Sequence, residues 1–173
     1  MFEKSELIKQ IYKVSHLTGS FQLRSGRTSN DYFDKYQFQA DPALIDMIVR
    51  QMVNFIPSNT EVLAGLELGA ISIVTLLSHY SSLPTAFVRK QAKQYGTARL
   101  VEGAEIKNRQ VLIIEDVVTS GGQIVTSTNQ LRELGAQINN ALCVIDREEG
   151  AVEKLFSHGV RLFSLLKRSD FPN

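Results

Sequence analysis

The chain has 173 residues, 43% hydrophobic and 21% charged, which suits one domain with a real core and is too apolar for a disordered segment. Its 19 basic and 18 acidic residues leave a formal net charge of +1, so overall charge points to neither nucleic acid nor a membrane surface, and any electrostatic function must come from local clusters. The single cysteine, Cys143, excludes an intrachain disulfide framework and fits a reducing compartment. A charged N-terminus without a signal-peptide core, and no apolar run of membrane-spanning length, lead to the expectation of a cytoplasmic protein with one domain over residues 1–173.

Leu7, Ile8, Ile11 and Val14 recur at helical spacing, which predicts an amphipathic helix over residues 3–17. The stretch SFQLRSGRTSNDYFDKY (20–36) reads as strand and loop. Asp41-Pro42 is a helix start, with Asp as N-cap and Pro at the first helical position, and Leu44, Ile45, Ile48, Val49, Met52 and Val53 carry that helix forward. EVLAG (61–65) is a short buried strand, residues 70–80 a helix, and residues 83–88 a strand. Residues 89–109 are polar and glycine-containing, and read as a long loop or extended hairpin, usually a functional or mobile feature. QVLIIED (110–116) is a strand, residues 122–134 a helix stopped by Gly135, INNALCVID (138–146) a strand, residues 151–158 a helix stopped by Gly159, and VRLFSLL (160–166) a last strand. This alternation predicts an α/β fold with a mostly parallel central sheet covered by helices.

The chemistry concentrates in IIEDVVTSGG (113–122). In open parallel sheets, ligands bind beyond the carboxyl ends of strands. Here two acids, Glu115 and Asp116, close an apolar strand, and Thr119, Ser120, Gly121 and Gly122 lead into a helix. Amides at a helix N-terminus favour a phosphate, glycines let the backbone come close, and hydroxyls add donors. Carboxylates accept hydrogen bonds from sugar hydroxyls. A ligand with both a diol and a phosphate fits the spacing; so does a plain strand end with solvated acids and an ordinary helix cap. Neither GxxxxGK[ST] nor GxGxxG occurs, which argues against a nucleoside triphosphatase or a dinucleotide site.

VLIIEDVVTSGG resembles the phosphoribosyl-pyrophosphate (PRPP) motif of the type I phosphoribosyltransferases. Three further stretches are similar to the orotate phosphoribosyltransferase branch of that family: FQLRSGRTSNDYFD (21–34) to its N-terminal substrate segment, FVRKQAKQYGTARLVEG (87–103) to its catalytic loop, and IDREEG (145–150) to its base-contact motif. The matches fall in family order and cover most of the chain. The resemblance implies a type I phosphoribosyltransferase fold with a small N-terminal hood, a substrate segment over about residues 1–40 and a mobile loop over about residues 89–103.

What the family does then maps position by position. Glu115 and Asp116 would bind the ribose hydroxyls, and Thr119, Ser120, Gly121 and Gly122 the 5′-phosphate, with Thr119 also near the base. Arg24, Tyr32, Phe33 and Arg147 would contact orotate. Arg89, Lys90 and Lys93 would be the catalytic cations beside the leaving pyrophosphate, with Tyr95 and the turn at Gly69 also contacting PRPP. Mg²⁺ would travel with PRPP rather than sit in a protein cage. A homodimer sharing the loop across its interface is implied, with no nucleic acid and no membrane. Tyr95 stands where many members have histidine, Gly69 where one branch has a lysine, and Ser72 where proline is frequent. The alternatives are a transferase for another base, discriminated by residues 21–34 and Arg147, and an RNA-binding regulator of the same fold, against which the near-zero net charge weighs. His16, His79 and His158 show no metal-binding spacing, and Cys143 reads as a buried small hydrophobe.

Overall fold

The computed structural model describes residues 4–22, 28–91 and 99–172. In chain order the elements are α1 (Lys4–Ser15), β1 (His16–Gln22), β2 (Thr28–Phe33), α2 (Lys35–Ala40), α3 (Pro42–Met52), β3 (Val62–Leu66), α4 (Ile71–Ser81), β4 (Thr85–Val88), β5 (Val101–Gly103), β6 (Gln110–Val118), α5 (Gly122–Glu133), β7 (Gln137–Asp146), α6 (Ala151–Ser157) and β8 (Arg161–Lys167).

Six strands form one sheet in the order β5-β4-β3-β6-β7-β8. Only β5 runs against its neighbour; the β3–β4, β3–β6, β6–β7 and β7–β8 pairs are all parallel. The expected mostly parallel α/β sheet is the one observed. Continuous apolar runs follow from burial on both faces. Along β6, Leu112 and Ile114 turn toward the cluster built with Leu7, Ile48 and Leu77 of α1, α3 and α4, while Val111 and Ile113 join Ile124, Leu131 and Leu155 of α5 and α6. Cys143 is fully buried in the second cluster, as its apolar setting implied.

β1 and β2 form a separate two-stranded antiparallel sheet, the small N-terminal hood. Its exit is tied to α1 by the Asp34 amide, which donates to the Ser15 carbonyl at 2.8 Å. α3 begins as Asp41-Pro42 implied, with the Asp41 carboxylate accepting from the Ala43 and Leu44 amides at 3.0 Å each. α2 was not foreseen, since residues 20–36 read as strand and loop. Asp34 caps it by accepting from the Tyr36 amide at 3.0 Å, and fully buried Phe38 anchors it. Six residues give too short a window for helical periodicity to register.

The hairpin reading of residues 89–109 holds at its base, where β5 pairs with β4 and the Arg89 amide donates to the Leu100 carbonyl at 3.0 Å. No described helix is long and apolar enough to cross a membrane.

β3 and α4 approach so closely that a Cβ on Gly65 would lie 2.4 Å from Val74 Cγ1. Gly65→Ala should therefore destabilise the protein by about 1–3 kcal/mol, as overpacking does. Chemical denaturation checks this, and a Val74→Ala background should reduce the penalty.

Candidate active site

Three neighbouring parallel strands, β3, β6 and β7, end on the same side of the sheet, and each carries one stretch singled out from the sequence. Gly69 follows β3, the acid pair and phosphate loop close β6, and Asp146 with Arg147 closes β7. Next to β3, β4 delivers Arg89 and Lys90 to the same edge. The register brings together segments far apart in sequence.

The phosphate loop lacks an ordinary cap. Gly121, with φ +72°, is the N-cap residue of α5 and supplies no side-chain hydrogen bond, while Thr119 and Ser120 are exposed. The first amides of a helix have no intrahelical acceptor, so this end is open to an anion. A Cβ on Gly121 would meet Leu155 Cγ at 3.2 Å, which, with the left-handed φ, explains the glycine. A cation also stands here that sequence reasoning missed. Lys154, from α6, places Nζ 3.6 Å from where a Cβ on Gly122 would be, beside the Ser120 hydroxyl. No motif marks it; only the packing of α6 against the loop brings it there.

The acid pair is not solvated. β6 continues past it to Val118, and Asp116 is fully buried. Lys35 Nζ lies 3.0 Å from Asp116 Oδ1 and 2.9 Å from Oδ2, Gln39 Nε2 donates to Oδ2 at 3.1 Å, and the Val117 amide donates to Oδ1 at 2.6 Å. Strand alternation turns Glu115 away from α2. Its Oε2 is buried without a hydrogen-bond partner, and burial, reinforced by the charge of Asp116, pushes its carboxyl up to about 8, with Lys35 and Lys90 only partly opposing this. Two carboxyls adjacent in sequence thus have different states: one compensated by four contacts, the other poised to hold a proton at neutral pH. Neither Lys35 nor Gln39 belongs to any motif read from the sequence. Cys143, opposite Glu115 on β7, has its thiol pushed up by burial and takes no polar role.

At the end of β7 the backbone is fixed around Arg147. Its amide donates to the Val118 carbonyl at 2.8 Å, and the Asp146 carboxylate accepts from the Glu148 amide at 2.9 Å. Its Nη2 lies 3.5 Å from Glu149, yet its Nε is buried without a partner. The surface ion pair therefore exists but leaves one guanidinium donor unused. Tyr32 and Phe33 do not act as a matched pair. Phe33 packs edge-to-face on Phe171, with ring centroids 5.9 Å apart, and belongs with the core, whereas Tyr32 is exposed and stacks on Phe21 at 5.3 Å. Alternation along β2 separates them.

Lys90 is anchored through its backbone, its amide donating to Glu67 at 2.7 Å, so the start of the basic segment is tied to the turn after β3. That turn contains a cis peptide between Glu67 and Leu68. Arg89 Nε lies 3.8 Å from Glu102 across the β4–β5 pair. Arg24, Lys93 and Tyr95 lie outside the described residues. The histidines are occupied locally: His16 stacks on Tyr12, His79 packs against Tyr80, and His158 Nδ1 meets the Lys154 carbonyl at 2.8 Å. Among the described residues no group of three or more His, Cys, Asp or Glu could hold a metal ion.

The raised Glu115 carboxyl has a consequence for stability. Between an unfolded value near 4.5 and about 8, the folded state binds more protons than the unfolded state, so stability falls as pH rises through that window. Glu115→Gln should remove this slope. From pH 5 to pH 8.5 the melting temperature of the wild type should drop by roughly 4 °C or more relative to the variant, about what 1–2 kcal/mol produces in a chain of this size. Differential scanning fluorimetry on the ligand-free proteins reads it directly.

Comparison with known proteins agrees with this geometry. The model of the phosphoribosyl transferase domain family matches residues 37–166. The orotate phosphoribosyltransferase of Nocardioides sp. is 42% identical over 164 residues, covering 95% of this chain and 92% of the relative. Among solved structures, the Mycobacterium tuberculosis orotate phosphoribosyltransferase in complex with Fe(III) dicitrate superposes with a TM-score of 0.87 at 28% identity, covering 98% of this chain and 99% of that one. The same enzyme in complex with PRPP superposes with a TM-score of 0.83 at 27% identity, covering 96% and 97%. With the uncapped phosphate loop, the buried acid pair and the three aligned strand ends, these matches show that the chain belongs to the orotate phosphoribosyltransferase family, within the phosphoribosyl transferase domain proteins.

Proposed function

We propose that this chain transfers the phosphoribosyl group of PRPP, taken up as its Mg²⁺ complex, to N1 of orotate, forming orotidine 5′-monophosphate and pyrophosphate. The observation that carries the reading is the juxtaposition, at the end of β6, of an acid pair, fully buried Asp116 and half-buried Glu115, with an uncapped helix N-terminus. One ligand with a ribose diol and a 5′-phosphate satisfies both. That a solved relative, the Mycobacterium tuberculosis orotate phosphoribosyltransferase, is in complex with PRPP supports PRPP as this ligand.

In the reaction, the bond from C1′ to the pyrophosphate oxygen breaks with its electron pair going to pyrophosphate, while orotate N1 bonds to C1′ from the opposite face. Orotate can react as an anion, so no protein nucleophile is needed. The chain's contribution is positioning and charge compensation. Amides of residues 119–122 and the hydroxyls of Thr119 and Ser120 hold the 5′-phosphate. Glu115 and Asp116 hold the ribose. Arg147 offers its unused guanidinium donors to the carboxylate or an imide oxygen of orotate, a planar fork suited to planar acceptors, with Arg24 and Tyr32 as further base contacts. Arg89, Lys90 and Lys93 offset charge developing on the leaving pyrophosphate, with Tyr95 and the Gly69 turn as further contacts. Magnesium carried in with PRPP would supply further charge compensation there.

The setting that goes with this activity is pyrimidine synthesis in the cytoplasm, by a homodimer whose basic segment reaches across the interface, with the single catalytic domain spanning residues 1–173.

Loss of orotate absorbance in the ultraviolet, with PRPP and Mg²⁺ present and uracil and purine bases as controls, tests the reading. Orotate alone should be consumed; turnover of a purine without turnover of orotate would overturn it. Arg147→Ala should raise KM for orotate about 10- to 100-fold, the effect of losing hydrogen bonds to a charged group. Lys93→Ala should lower kcat by about 100-fold or more while changing PRPP affinity far less, as expected of a contact that strengthens in the transition state.

A further inference from the structure

We infer that Lys35, together with Gln39 and Ser72, is a positioning assembly for Asp116, and that it sets affinity for the ribose of PRPP rather than for pyrophosphate or orotate. The inference rests on the ribose-binding role of Asp116 given above.

The carboxylate of Asp116 has no access to solvent. An unpaired charge there would be strongly destabilising, so its orientation is whatever its partners impose. Lys35 and Gln39 lie four residues apart, which puts both side chains on one face of α2. From that face Lys35 spans both carboxylate oxygens, at 3.0 and 2.9 Å, and Gln39 reaches Oδ2 at 3.1 Å. Gln39 is itself set by Ser72, whose hydroxyl donates to its Oε1 at 2.7 Å and so fixes which end of the amide faces Asp116. The backbone closes another side: a Cβ on Gly69 would lie 1.9 Å from Asp116 Oδ2. Two segments remote in sequence, α2 and residues 69–72, thus converge around one carboxylate.

Two of the three positions that depart from the family pattern, Gly69 and Ser72, meet this assembly. A side chain at 69 and the present placement of Asp116 exclude one another. A proline at 72 would remove the hydroxyl that orients Gln39. Lys35 is partly open: its side chain is 34% exposed while that of Asp116 is 0%. Its ammonium therefore stands between the buried carboxylate and solvent, where a ribose hydroxyl must arrive. Lys35 is held above its usual range despite its burial, because of its hydrogen bond to Asp116 and the charges of Asp116 and Glu115.

Titration calorimetry on the full chain separates the ligand halves, with ribose 5-phosphate and Mg²⁺–pyrophosphate as probes, alongside steady-state kinetics. In Lys35→Met, the Kd for ribose 5-phosphate and the KM for PRPP should rise about tenfold or more, as for a lost contact to a buried charge. The Kd for pyrophosphate and the KM for orotate should change by less than about threefold, within ordinary mutational scatter. Lys35→Arg should recover most of the loss, and Ser72→Ala should show a smaller loss of the same kind. Unchanged ribose 5-phosphate affinity in Lys35→Met overturns the inference, as does an equal loss for both probes that Lys35→Arg does not repair. Should Lys35→Met fail to fold, Ser72→Ala decides, because its site is exposed: no selective loss for ribose 5-phosphate overturns the inference. A wild-type protein that binds no ribose 5-phosphate would instead bring down the functional reading on which this one rests.

Discussion

A carboxylate removed from water must be matched by donors that stay in place, and Asp116 imposes that condition on everything around it. It lies at the end of the strand shared by both faces of the core, so its partners cannot be solvent. They are Lys35 and Gln39 from α2, and behind Gln39 the hydroxyl of Ser72 at the start of α4. The short α2 exists to present those two side chains: Asp34 starts it, Phe38 pins it, and the residues one turn apart face the acid. Gly69 is the counterpart on the backbone side, since its missing side chain is the space the carboxylate occupies.

Glu115 meets the opposite solution. Its environment supplies little compensation, and burial raises its carboxyl to about 8. A protonated carboxyl can donate as well as accept, so the two carboxyls together can make both kinds of hydrogen bond. Neighbouring acids on one strand would repel strongly if both were ionised and unpaired. Placing Lys35 on one and leaving the other to take a proton resolves the repulsion without removing either from the site.

Features that depend on neighbours in the chain were legible in the sequence. Apolar runs gave every parallel strand, Asp41-Pro42 gave the start of α3, and IIEDVVTSGG marked a strand end leading into a helix. What stayed hidden depends on contacts across long separations or on very short elements. Lys35 reaches Asp116 across 81 residues, and nothing local distinguishes it from a solvated lysine on a short helix. Lys154 comes to the phosphate loop only because α6 packs on Gly121. Tyr32-Phe33 looks like one aromatic unit in sequence, but the pleat sends one ring to the core and the other to solvent. The acids themselves read as a strand end, whereas the strand runs two residues further and buries them.

Under the proposed function, the sheet order would let one loop recognise the phosphoribosyl donor while other segments set what it reacts with. β6 is central, with β3 on one side and β7 on the other, so the proposed ribose and phosphate contacts occupy the middle of the strand ends. The proposed pyrophosphate contacts then fall at the β3–β4 edge, where Glu67 in the turn after β3 holds the amide of Lys90. The proposed base contact falls at the β7 edge, where the Arg147 amide is bonded to the last residue of β6. The Asp116 assembly joins the central position to the β3 side through Ser72 and Gly69, where its side-chain partners lie. A change within it should therefore be felt in how the donor is held, and only weakly in which base is chosen.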